Sequence, residues 1–220
     1  MKLSIRCLFF IGLLWSSFHS VAGQVSPDFS LPIDTTKPYV FYSHGFIVEG
    51  ENPKPVHPRW GVYDFPAVTQ ALASDAYHLI AYHREKNSDP FAHVKMLTAH
   101  AKRLLAKGVK ASDIYFVGFS RGGGITALVS NELANPEVNY VILAGCSGLI
   151  KNQEQAKLYG KVFSIREKTD KVGSCGFLLN RGGEVSDFRE LMINTGLEHG
   201  AFYRPIKEWL VPVRKHLHKR

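Results

Sequence analysis

The sequence predicts an α/β fold, a mostly parallel sheet of about six strands. Three observations carry that reading. Short apolar, β-rich runs alternate with stretches of helical periodicity, as in a sheet whose crossovers are helices. One such run, Asp113 to Gly118, leads through Gly118-Phe119-Ser120-Arg121-Gly122 into a segment with Ile125, Leu128, Val129 and Leu133 at helical spacing. Beyond its first 23 residues the chain has no internal repeat, low-complexity tract or Gly/Ser linker.

The strands follow in order. Tyr39 to Ser43 is the first and Ala76 to Tyr82 the second. Ile114 to Gly118, Tyr140 to Ala144, Lys161 to Arg166 and Glu190 to Asn194 complete the six. The clearest helix is Pro90 to Lys107. Asp89 suits its N-cap, Pro90 its first position, and Gly108 its end. Its buried stripe reads Phe91, Val94, Leu97, Ala101, Leu104 and Leu105. A last helix starts near Pro205 and buries Ile206, Trp209, Leu210 and Val213. Pro212 is expected to kink it or mark a break. Val48 to Pro66 carries four prolines and is expected to be irregular. It follows the first strand at the end where ligands bind in such sheets. It is read either as a functional loop or as an ordered cover of the sheet edge.

The chain has 220 residues, enough for one domain with a sizeable core. Residues 1–23 read as a secretory signal peptide: Lys2 and Arg6, then an apolar stretch from Leu8 to Trp15, then small residues. The alternative, a membrane anchor, is disfavoured because the stretch is short for a bilayer. The remaining 24–220 are expected to be a single domain, exported to the periplasm or beyond, with no stable membrane insertion. Removing the leader takes Lys2 and Arg6 from the net charge of +8 and no acid, leaving +6. Part of the excess clusters at Arg214, Lys215, Lys219 and Arg220. No nucleic-acid motif accompanies it, so it reads as a solvated helix end and no nucleic-acid partner is expected. Cys7 leaves with the leader. Cys146 ends one strand and Cys175 follows the next, so neighbouring parallel strands would bring them together. A disulfide is expected, with two buried free thiols as the alternative.

The G-x-S-x-G run describes a sharp strand-to-helix turn that exposes the Ser120 hydroxyl. Serine is a weak nucleophile, so it needs a base and an acid. Asp170, in the loop after the fifth strand, is the chosen acid, and Glu167 is the alternative, nearer the strand end. His199, in Gly196-Leu197-Glu198-His199-Gly200, is the chosen base. The oxyanion donors are expected to be the backbone N–H groups of Arg121 and of Phe46, which follows His44-Gly45 at the end of the first strand. Trp60, Phe119 and Leu149, with Phe46, are candidates for an apolar acyl pocket, and each also fits a place in the core. Arg121 is expected to salt-bridge. No histidine pair has zinc spacing with a carboxylate partner, so neither a metal site nor a cofactor is expected.

With His44-Gly45, the serine turn, Asp170 and His199-Gly200 in that order, the chain resembles the α/β-hydrolase superfamily from about Tyr39 to its last helix. The resemblance implies helices on both faces of the sheet. Gln24 to Pro38 is too short for the family's first two strands, so the sheet should be truncated at the N-terminal edge. Gly145 to Gly160 is too short for a helical lid. The resemblance implies a serine esterase (carboxylesterase-like) that acts on a small-molecule ester through an acyl-enzyme. An acyltransferase or peptidase on the same residues and a non-catalytic binding protein are the alternatives. The sequence leaves the oligomeric state open.

Overall fold

The computed structural model describes residues 23–30 and 32–218. The leader expectation, apart from Gly23, lies outside the described residues, as do Lys219 and Arg220. Among the described residues nine strands form: β1 Val25–Ser26, β2 Tyr39–Ser43, β3 Val56–His57, β4 Gly61–Val62, β5 His78–Ala81, β6 Ile114–Phe119, β7 Asn139–Leu143, β8 Gly160–Glu167 and β9 Val185–Ile193. Seven make one sheet in the order β1-β5-β2-β6-β7-β8-β9, and every pairing is parallel. Every residue of β2, β6 and β7 is buried, which is why those runs are apolar without alternation.

Among the described residues there are five α-helices, four between strands and one after the last: α1 Phe65–Leu72, α2 Pro90–Ala106, α3 Arg121–Leu133, α4 Gly148–Lys151 and α5 Lys207–Leu217. They cover both faces. One core joins Val40, Tyr42, Val117 and Phe119 to Val68 of α1 and Trp209 of α5. The other joins Tyr39, Phe41 and Phe116 to Leu97 of α2 and Ile125 of α3. The alternation of Tyr39 to Tyr42 between the two cores is the pleat of a strand.

Several expectations are corrected. The sheet has seven strands, since β1 pairs with β5 along two residues of the stretch given no strand. β9 starts five residues earlier than expected and pairs along β8 from Gly160 to Glu167. It is an edge strand whose Ser186 and Asp187 are exposed, so its first half lacks the apolar signature. Asp89 caps α2 as expected, accepting from the Phe91 N–H at 2.9 Å. Phe91 itself lies in the first turn and is 42% exposed, while His93 and Thr98 join the inner face. Helix α5 runs through Pro212 without a break. Segment 48–66 is not wholly irregular: β3 and β4 pair as a short antiparallel ribbon, and Asp64 caps α1. Pro66 sits in the first turn of that helix, where its missing N–H costs nothing.

Cys146 and Cys175 form a disulfide, with Cα atoms 5.2 Å apart. Among the described residues, no helix is long and apolar enough to cross a membrane.

Candidate active site

The turn from β6 into α3 places Ser120 at φ 55°, ψ −119°, a conformation costly for a residue with a Cβ. Two glycines make it possible by sterics. A Cβ on Gly118 would lie 2.1 Å from the Gly122 carbonyl oxygen, and one on Gly122 would lie 1.9 Å from the Ser43 carbonyl oxygen. The strand, turn and helix therefore close on each other and on the end of β2. The Ser120 N–H donates to the Leu143 carbonyl at 2.9 Å, which ties the turn to β7.

His199 lies in a 3₁₀ turn, Glu198–Phe202, beyond the end of β9. Its Nε2 is 2.8 Å from Ser120 Oγ and its Nδ1 is 2.6 Å from Asp170 Oδ2. With the carboxylate ionised, Nδ1–H donates to Asp170, which leaves Nε2 to accept from the serine hydroxyl. Both side chains are largely enclosed, at 12% and 5% exposure. The imidazole packs on Phe119 at 4.8 Å and Trp60 at 5.3 Å between ring centres. Gly196 supplies a left-handed turn at φ +69°, and Gly200 supplies space, since a Cβ there would meet Trp60 Cβ at 2.6 Å.

The two expected oxyanion donors share a geometry. Phe46 opens a 3₁₀ turn, Phe46–Val48, and Arg121 opens α3, so each N–H is at a first helical position with no acceptor inside its helix. Phe46 is held by a buried network that the sequence reading missed. His44 Nδ1–H donates to the Gly45 carbonyl at 2.8 Å, and His44 Nε2 accepts from the Arg84 N–H at 2.9 Å. The Arg84 guanidinium donates to the His44 carbonyl at 2.7 Å and to Glu49 at 3.3 Å. Burial first, and then Arg84, push the His44 pKa down to about 2, so the ring stays neutral. Arg121 also pairs with Glu49, at 3.3 Å, and donates to the Ser88 carbonyl at 2.8 Å. No motif announces Glu49 or Arg84; an arginine just after a strand was the only available signal.

Glu167 does not touch His199. Its side chain is fully buried and accepts hydrogen bonds from Thr169, Asp170, Thr195 and Gly196. Asp170, not Glu167, is the carboxylate on the imidazole.

A cavity of about 490 Å³ opens over Ser120 and His199, walled by Trp60, His57, Val172 and Lys171. The His57 and Trp60 rings stack at 4.1 Å, giving a flat aromatic face. Of the pocket candidates, Trp60 lines this cavity and the others do not. Phe119 is buried beneath His199, Leu149 packs against Gly124 of α3, and Phe46 lies exposed under the Arg121 guanidinium. Between β7 and β8 the only α-helix is the four-residue α4. A larger cavity, about 890 Å³, lies at the opposite ends of the strands, among Lys110, Asp113, Lys161 and Asp187, far from the serine turn. Among the described residues, no group of three or more His, Cys, Asp or Glu side chains is placed to hold a metal ion.

No protein-family model matches the chain, and no curated protein matches it in sequence. Solved structures do match. The esterase PE8 is 18% identical with a TM-score of 0.54, over 83% of this chain and 92% of that one. SOBER1 from Arabidopsis thaliana is 14% identical with a TM-score of 0.53, over 83% and 100%. Est1E from Butyrivibrio proteoclasticus, solved with ferulic acid, is 13% identical with a TM-score of 0.53, over 84% and 88%. Parallel sheet, helices on both faces and these likenesses agree: the chain has the α/β-hydrolase fold.

Proposed function

We propose that the chain is a serine hydrolase that cleaves a small-molecule ester through an acyl-enzyme. One observation carries the reading: Ser120 Oγ, His199 and Asp170 lie in an unbroken line of 2.8 Å and 2.6 Å hydrogen bonds at the C-terminal ends of the strands. Ser120 Oγ attacks the ester carbonyl as its proton passes to His199 Nε2. Asp170 stabilises the imidazolium that forms. The Phe46 and Arg121 amides receive the oxyanion. Collapse expels the alcohol, which takes the proton from Nε2. Water then loses a proton to Nε2 as it attacks the acyl-enzyme, and collapse releases the acid while Nε2 returns that proton to Ser120 Oγ.

The structural neighbour named as an esterase, PE8, supports ester chemistry, and the aromatic wall of His57 and Trp60 favours a flat group beside the carbonyl. An acyltransferase or peptidase would use the same three residues with another acceptor or leaving group. A binding scaffold has no use for a serine held at φ 55° against a histidine. The leader pattern and the disulfide support work outside the cytoplasm.

The test is labelling with a serine-reactive fluorophosphonate, read by mass, alongside hydrolysis of short p-nitrophenyl esters. Wild type should label, and Ser120→Ala should not, with turnover down about a millionfold. A wild-type chain that neither labels nor hydrolyses sinks the reading.

A further inference from the structure

Glu167 is the last residue of β8, and its ladder partner Ile193 is the last of β9. Beyond that pair the two strands part into separate loops, one carrying Asp170 and the other His199. One more backbone hydrogen bond, from the Lys168 N–H to the Ile193 carbonyl at 2.9 Å, joins them at the fork, and past it the sheet ladder gives no further link. The Glu167 carboxylate sits at the fork and divides its oxygens between the two sides. Oε2 accepts from the Thr169 N–H, from Thr169 Oγ1 at 2.6 Å and from the Asp170 N–H at 3.1 Å. Oε1 accepts from the Thr195 N–H at 2.9 Å, from Thr195 Oγ1 at 3.3 Å and from the Gly196 N–H at 3.1 Å. Asp170 follows Glu167 by three residues, and His199 follows Gly196 by three.

We infer that Glu167 is a positioning residue for the Ser120–His199–Asp170 site, a buried carboxylate clamp that sets the distance from the acid loop to the histidine loop. The inference rests on the proposed function, because it assigns a kinetic role to the spacing of those loops. A fully buried carboxylate is costly unless its lone pairs are filled, and here six donors fill them. Burial raises its pKa, but the hydrogen bonds from Thr169, Thr195 and Gly196 overcome that and hold it down at about 2. The group is therefore ionised at any working pH, and each bond to it is charge-assisted. Glutamine has the same shape and cannot do the same task. Its NH₂ would face two backbone N–H groups on one loop or the other, and that loop must withdraw.

The experiment compares wild type with Glu167→Gln and, as a gentler probe, Thr169→Val, which removes one hydroxyl donor from an exposed residue. Activity is expressed per active site, titrated by the fluorophosphonate burst, so that misfolded protein does not count. The expected result for Glu167→Gln is a kcat lower by about 100-fold with KM little changed, the scale of an ångström's misplacement. The pKa read from kcat/KM should also fall, because an imidazolium less well met by Asp170 is less stable. The other charged groups around His199 are Glu198, held by Arg59 and Trp60, and Lys171 on the cavity wall; neither substitution touches them. Thr169→Val should show the same two changes on a smaller scale. A purely structural Glu167 would lower the melting temperature and the titrated fraction while leaving kcat per site and the pH profile as in wild type. That result in Glu167→Gln, or in Thr169→Val should Glu167→Gln not fold, overturns the inference. A wild type without a burst sinks the hydrolase reading, and the clamp with it. An active wild type with unmoved variants sinks the clamp alone.

Discussion

The two halves of the site are held in place by different physics. Ser120 is fixed by backbone against backbone: Gly118 and Gly122 bring strand, turn, helix and the end of β2 into contact closer than any side chain allows. Asp170 and His199 lie on loops beyond their strands and are placed by hydrogen bonds to a buried carboxylate. The first arrangement tolerates no added atom, and the second tolerates no lost charge. Under the proposed function the difference is apt: a nucleophile in a strained conformation needs steric walls, whereas a base that must accept, carry and return a proton needs a partner at a fixed distance.

That comparison can be broken from either side. The largest effect should come from Asp170→Asn, which keeps the shape and removes the charge that selects the His199 tautomer. We expect kcat to fall about 10⁴-fold with the fold intact, read by circular dichroism and steady-state kinetics. A loss below tenfold would mean another group orients the imidazole. Gly122→Ala should act on the steric half. Its methyl group would overlap the Ser43 carbonyl, so we expect more than about 3 kcal/mol of lost stability in urea. A soluble, fully stable alanine variant would show that the turn can open without cost.

Smaller effects should sharpen the comparison. The Cys146–Cys175 bridge ties the loop after β7 to the loop that carries Asp170. Replacing both cysteines with alanine should cost about 3 kcal/mol, and hydrogen exchange should rise in the acid loop rather than at Ser120. Equal exchange at both would remove the distinction. Acid should then loosen the halves in sequence. His44 has a folded pKa held at about 2 against 6.5 when free. Its stabilisation is complete above about pH 6.5 and declines as pH falls towards 2, because the unfolded chain takes up a proton the folded ring refuses. At pH 5 we expect about 2 kcal/mol of loss from this group. Glu167, also depressed, starts its loss only below about 4.5. A urea midpoint unchanged between pH 7 and pH 5 would contradict the assignment for His44.

What was legible in the sequence follows the same division. Sterics leave a pattern: glycines at fixed offsets mark the serine turn, and apolar runs buried on both faces mark β2, β6 and β7. The choice of Asp170 over Glu167 rested on distance from the strand end, and Asp170 is the one of the two whose carboxylate lies 2.6 Å from His199 Nδ1. Edge strands and clamps leave less trace. The polar first half of β9 reads as loop because water, not core, receives its side chains. Glu49, Arg84 and Glu167 are buried charges, and charged residues read as surface until their donors are seen. Trp60 came from a segment read two ways, and the choice lay in its contact with Gly200, which is 140 residues away in sequence.

The hydrogen bond between Ser120 and His199 joins residues 79 positions apart. The contact of Gly122 with the Ser43 carbonyl has the same span, but it lies wholly on the N-terminal side of His199. A chain made from its N-terminus therefore has every residue of the serine turn and its steric walls before it has the loop that carries His199. Under the proposed function, reactivity is withheld until that loop has docked, and an unfinished molecule is an unarmed one.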